Sequence, residues 1–298
     1  MDKNIKKTIL VKYRNNSISY ALLTTLMPLS AFTLALYLSF QFSIINSIWL
    51  VPLIGWIYYR LYFPLHDLSH LNLFKSKSTN YFFGYIISGL FAIPFLNFRD
   101  EHLSHHKHHG SEDDPAKDDY QVKINTKKDL MLFLLSPLIG LSTFKKIKEN
   151  YLNKERKKIK TSDNIGIITV LIIQVTLICL FLYFKNYGIL HYFIFIVLPG
   201  TTFFLFFSRL RQFLEHYPNL SDDERNIDFV SRSFNLNFFE NLIFSSASFK
   251  YHHEHHLFPS IPSVHLEKIY NELDPMKDYS GKSKINYVST MKKVWDNL

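Results

Sequence analysis

Fourteen histidines occur in the 298 residues, and eleven of them fall in three short windows: 66–70 (HDLSH), 102–109 (HLSHHKHH) and 252–256 (HHEHH). Their spacing says more than their number. His66 and His70 stand four apart. His102, His105 and His106 stand three and four apart, and His252, His255 and His256 repeat that pattern. Positions three and four apart share one face of a helix, with Cβ atoms ~5–6 Å from each other. Each window can therefore aim two or three imidazoles at one point. These eight imidazoles are too many for one ion and suit two, each with a vacant position. Imidazole binds zinc, copper, iron or nickel. The H-E-x-x-H pattern of zinc hydrolases is missing, since His253–Glu254 runs on into His255, His256 and Leu257. With no thiolate nearby, iron and oxygen chemistry is favoured, although residue types alone leave copper and zinc open. A metal-buffering loop would be a low-complexity tract without this repeated geometry. A metal transporter would need polar ligands at mid-membrane depth.

The elements that position these windows lie in a membrane. Charged residues make up 20% of the chain, against ~25% in soluble domains, and residues 15–59 form a 45-residue run without Asp, Glu, Lys or Arg. One crossing needs ~20 apolar residues, so this run holds two crossings and a turn near 40–46. Two further uncharged runs, 164–184 and 186–208, are separated by Lys185. The chain is therefore expected to be an all-α integral membrane protein of one domain. Its four spans, at about 19–39, 48–65, 164–184 and 188–208, form two hairpins under a helical cap that carries the histidine windows. The apolar stretches 78–98 and 130–144 contain Gly84, Gly89, Pro94, Pro137 and Gly140, and are expected to be interfacial or re-entrant. Residues 99–163 carry 14 Lys and Arg and residues 209–298 carry 11, whereas the expected outer turns carry Lys185 alone. Cytoplasmic loops collect Lys and Arg, so both termini and the cap are expected inside. A signal peptide fits the N-terminus poorly, because the apolar stretch is too long and continues into a second span. The net charge of +9 then has a membrane explanation, and no nucleic-acid partner is expected. The basic stretch 145–160 reads as a helix at an anionic lipid surface. A single cysteine, Cys179, excludes an intrachain disulfide, a thiolate zinc site and a cysteine-ligated iron–sulfur cluster.

At the three windows the chain resembles the membrane fatty acid desaturase family, whose signature is three histidine boxes of the form HxxxH, HxxHH and HxxHH. The matches are HDLSH at 66, HLSHH at 102 and YHHEHHLFPSIP from Tyr251. FRDEHLSHHKHHGSEDDP (98–115) looks like the family's second-box region, and RQFLEHYP (211–218) like the segment that supplies one more metal-binding histidine. The resemblance implies a cytoplasmic di-iron centre that uses O2 as co-substrate. Its implied ligands are His66, His70, His102, His105, His106, His252, His255 and His256, with His216. Gln212 stands where some relatives carry an Asn that reaches iron through water. Asp67 and Glu254, inside their boxes, are candidates to orient imidazoles, whereas His108, His109 and His253 fall outside the box pattern. The implied reaction puts a double bond into an acyl-lipid, acyl-CoA or acyl-carrier substrate. No flavin, haem or iron–sulfur signature is present, so a separate donor is implied, a ferredoxin or a small haem cytochrome with its reductase. A bacterial inner membrane is expected ahead of endoplasmic reticulum. Bacterial carotenoid ketolases share a similar third box, so a carotenoid ketolase- or hydroxylase-type oxygenase remains an alternative, as does a metal-binding membrane protein without catalysis.

Overall fold

The computed structural model describes residues 3–152, 163–217, 231–273 and 286–298. Single turns apart, the helices are α1 (Lys3–Lys12), α2 (Ile18–Gln41), α3 (Leu50–Ser69), α4 (Lys77–Leu90), α5 (Phe95–His108), α6 (Lys127–Leu135), α7 (Leu141–Leu152), α8 (Asn164–Phe184), α9 (Gly188–His216), α10 (Phe238–Phe244), α11 (His252–Leu257), α12 (Leu266–Leu273) and α13 (Tyr287–Asp296). Among the described residues, extended pairing is limited to one isolated bridge between Ser233 and Tyr251.

By length and composition α2, α8 and α9 can each cross a membrane, and the bent pair α4–α5 would make a fourth span if it were one. α8 starts where the Asp163 side chain accepts from the Gly166 N–H at 2.8 Å. Of its 21 residues only Gly166, Leu177 and Phe181 are buried, and Ile168, Leu171, Ile172 and Val175 are exposed. Such an outward apolar surface suits hydrocarbon. α9 runs on past the expected end at 208 as far as His216. Its interior contains a π turn at Phe193–Val197 and Pro199 two residues further on, two recognised causes of helix bending.

α3 was expected as a span over 48–65. The helix is 20 residues long, continues to Ser69, and carries Arg60, His66 and Asp67. These polar residues keep it out of the group apolar enough to cross. The physical reason is its position. Fifteen of its residues are buried, so its side chains meet protein rather than lipid. Gly55 permits the close approach of α9: a Cβ there would collide with Phe203 Cβ and lie 3.2 Å from the Pro199 carbonyl. Overpacking typically costs ~1–3 kcal/mol. Gly55→Val should therefore lower the thermal midpoint of the protein in detergent, and an unchanged midpoint would contradict this contact.

The stretch 78–98 is not straight, because α4 and α5 meet at 99°. Ala92 takes a positive φ of 56° at the break, and Pro94 follows. Carbonyls released there find partners on neighbouring helices. Gln174 Nε2 donates to Gly89 O at 2.7 Å, and the Tyr58 hydroxyl to Leu90 O at 3.3 Å. Asp163 Oδ2 accepts from Leu96 N at 2.7 Å at the start of α5. The stretch 130–144 forms α6, a turn and the start of α7, exposing Met131, Leu132, Leu135, Ile139 and Phe144. The first half of the basic stretch 145–160 continues α7 to Leu152, and the second half lies outside the described residues.

Candidate metal centre

Four helix segments deliver the histidines to one place. The C-terminal turn of α3 brings His66 and His70, and α5 brings His102, His105 and His106. The last residue of α9 is His216, and α11 brings His252, His255 and His256. All nine fall into two groups whose ligand atoms lie within 4.8 Å of one another. One is His66, His70, His102, His106 and His255, and the other is His105, His216, His252 and His256. The groups adjoin, since the rings of His106 and His256 stack at 4.3 Å.

The contacts inside each group run Nε2 to Nε2. His102 Nε2 lies 2.8 Å from His70 Nε2 and 3.1 Å from His106 Nε2, which lies 3.1 Å from His255 Nε2. His252 Nε2 lies 2.9 Å from His216 Nε2 and 3.1 Å from His256 Nε2. A neutral imidazole nitrogen carries either one proton or one lone pair. His102, His106 and His252 each make two such contacts, so the set cannot all be hydrogen bonds. Imidazole nitrogens bound at ~2.1 Å to one metal and at right angles lie ~3.0 Å apart. His66 Nε2 is buried without a hydrogen-bond partner, and its ring lies 4.4 Å from that of His102 and 4.5 Å from that of His255. The donor set fits two metal ions.

Burial also pushes His252, His255 and His256 far below the ordinary imidazole range, with Arg211, His66 and His106 respectively adding to the effect. These rings are neutral at pH 7 and keep a lone pair for a metal.

Outer hydrogen bonds then decide which nitrogen faces inward. His66 Nδ1 donates to Asp67 Oδ1 at 3.0 Å. His105 Nδ1 donates to Asp114 at 2.9 Å, and His252 Nδ1 to Ser248 O at 3.2 Å. His216 Nδ1 donates to His109 Nε2 at 2.9 Å. That contact pairs Nδ1 with Nε2 and so differs from those inside the groups. Burial opposes ionisation of Asp114, but the bonds from His105 and Tyr120 outweigh it and hold the carboxyl below its usual range. Such outer partners are commonly worth 10–100-fold in metal affinity. His109→Ala should weaken the group containing His216 by about that factor, and His109→Gln, which keeps an acceptor, should restore part of it. Equal metal retention by both variants under competing chelator would contradict this role.

The remaining expected residues sit nearby. Asp67 also accepts from Ser248 Oγ and Ser263 Oγ. Glu254 is fully buried and accepts from Ser233 Oγ, which in turn accepts from His253 N at 3.1 Å. The His253 ring pairs with Ser231 Oγ at 3.0 Å, outside both groups. Gln212 is half-buried on α9, one turn before His216. Arg211 and Glu215, four residues apart on α9, form a fully buried ion pair. Glu215 Oε2 also comes within 3.5 Å of His252 Nε2. The roles of Ser248, Ser263 and Tyr120 were not read from sequence, and nothing local to them signals such partners.

A family model described as fatty acid desaturase matches residues 45–289. The chain belongs to the fatty acid desaturase family. The "Fatty acid desaturase" of Bacillus subtilis (strain 168) is 22% identical over an alignment of 298 positions that spans 92% of this chain and 82% of the relative. The "Dihydrorhizobitoxine desaturase" of Bradyrhizobium elkanii is 28% identical over 245 residues, covering 74% of this chain and 67% of the relative. Family membership supports a desaturase-type oxidoreductase with a lipid substrate in a membrane, and the two histidine groups of this chain could hold metal.

Proposed function

We propose that this chain is an O2-dependent di-iron fatty acyl desaturase, which introduces a double bond into an acyl chain with electrons from a separate donor. The observation that carries the reading is the pair of adjoining Nε2 groups, five imidazoles and four, in a chain of this family. Bound iron would supply the power to activate oxygen against an alkyl C–H bond, which no acid–base side chain has. The protein's own residues do the rest. Nine histidines hold the ions, and Asp67, Asp114, His109 and the Ser248 carbonyl fix ring orientation. Burial keeps the box-three imidazoles unprotonated.

The same reading takes α2, α3, α8 and α9 as four spans with α4–α5 re-entrant. Both termini and the metal centre lie on the cytoplasmic side of a bacterial inner membrane. Support comes from the two ends of the bundle. Lys185 Nζ donates to Phe42 O at 2.7 Å, which joins the two turns that carry little charge. His66 in the last turn of α3 and His216 at the end of α9 lie at the other side.

The test is reductant-dependent O2 consumption by purified protein supplied with an acyl substrate, alongside lipid profiles of expressing cells. Loss of uptake on iron removal and new unsaturated acyl chains are the expected results. Uptake indifferent to iron, with an unchanged lipid profile, would contradict the reading.

A further inference from the structure

The segment NLNFFENLIFSS (235–246) lies between α9 and the third box and contains α10. A capping box closes its start: the Asn237 side chain accepts from Glu240 N at 2.9 Å, and Glu240 Oε2 accepts from Asn237 N at 3.1 Å. Glu240 Oε1 accepts from Val288 N at 2.9 Å, so the one charge of α10 is turned inward and buried. The outer face is apolar and bare. Phe238 is 74% exposed, Phe239 70%, Leu242 50% and Ile243 36%.

The other end of α10 shows what covers that face. Trp56 Nε1 donates to Ile243 O at 3.0 Å, and the Tyr59 hydroxyl to Phe244 O at 2.6 Å. Arg60 Nη1 donates to Leu242 O at 3.3 Å and to Ser245 O at 2.8 Å. Side chains of α3 thus satisfy four successive carbonyls. At 1.5 Å per residue, Arg60 and Trp56 lie ~9 and ~15 Å from His66 along α3, away from the metal centre. With His66 at the membrane face, that depth lies inside a hydrocarbon layer ~30 Å thick. Hydrocarbon offers carbonyls no water, so every one must be bonded by protein. The arrangement also accounts for Arg60, the first charge after the long uncharged run, whose guanidinium lies over the rings of Phe63 at 4.5 Å and Trp56 at 5.9 Å.

We infer that α10 is a re-entrant helix. It enters the hydrocarbon beside α3 from the metal-centre side and presents Phe238, Phe239, Leu242 and Ile243 to lipid acyl chains. The inference rests on the reading of α3 as a span.

Spin labels on Phe239→Cys and Leu242→Cys, in a Cys179→Ser background, test it with the full chain in phosphatidylcholine nanodiscs. Collision with lipid-soluble O2 is compared with collision with a water-soluble nickel chelate. References are Ile172→Cys on the exposed face of α8 and Lys117→Cys in the polar segment that follows α5. The O2-to-nickel ratio at 239 and 242 should match that at 172 and exceed that at 117 several-fold. A separate Trp49→Cys variant in intact cells should react with an impermeant thiol reagent if α3 spans. Reaction at 49 combined with a nickel-dominated ratio at 239 and 242 overturns the re-entrant helix alone. No reaction at 49 overturns the span reading and this inference with it.

Discussion

Replacing His252 by alanine should abolish turnover and lower metal content from about two ions per chain to about one. His252 is the hinge of the four-imidazole group. Its Nε2 contacts His216 and His256, and its Nδ1 is held by the Ser248 carbonyl. Removing it leaves three imidazoles and puts a cavity beside the Glu215 carboxylate. Loss of a ligand should exceed the ~10–100-fold effect of losing an outer partner. The five-imidazole group contains neither His252 nor its contacts within the smaller group, and should keep its ion. His253→Ala is the matched control, one residue away but with its ring on Ser231. It should keep both ions and measurable turnover. Elemental analysis of the two variants, purified side by side, reads the difference. A dead His253 variant beside an active His252 variant would mean that the third box is misread by one position.

Asp67→Ala should be the most damaging substitution outside the ligands. This buried carboxylate accepts from His66 Nδ1, Ser248 Oγ and Ser263 Oγ, and so joins the first box to two segments near the third. Ser263 Oγ, its one proton given to Asp67, in turn pairs with the Tyr20 hydroxyl of α2 at 3.2 Å. Alanine would strand three buried donors, each costing ~1–3 kcal/mol. The expected loss, ~3–5 kcal/mol, is a large part of a typical fold's stability. Thermal unfolding of metal-free protein isolates that effect from metal loss. Asp67→Asn retains one carbonyl acceptor and should fall between alanine and the parent chain. A metal-free Asp67→Ala protein as stable as the parent would show that the carboxylate joins nothing of consequence.

How far the site could be read in advance depends on the range of its contacts. The repeated i, i+3 and i+4 spacing is local, so it exposed eight imidazoles directly. His216 carries no such pattern and came from the family resemblance alone. Its place in the second group depends on α9 continuing past its π turn and Pro199 as far as residue 216. Asp114 stands nine residues from His105, and Ser248 and Ser263 stand 181 and 196 residues from Asp67. No window of sequence can show the two Asp67 pairs, whereas Asp114 lies in the same 98–115 stretch as His105 and is legible there as a carboxylate near the second box. Hydropathy located α2, α8 and α9 because spans facing lipid must be apolar. It serves α3 less well, because a helix sheathed by others is free to carry Arg60. The partners of that arginine, the Leu242 and Ser245 carbonyls, lie 182 and 185 residues further on. At seven residues, α10 is far shorter than the ~19-residue window on which hydropathy arguments depend.

Two ions are expected in the paired imidazole groups, with iron as the working metal. The direct measurement is metal content and activity together, on protein purified without oxygen from iron-replete cells. About two irons per chain are expected, with turnover rising and falling with iron as it is removed and restored. One zinc and no iron, in protein that still desaturates its substrate, would contradict the account.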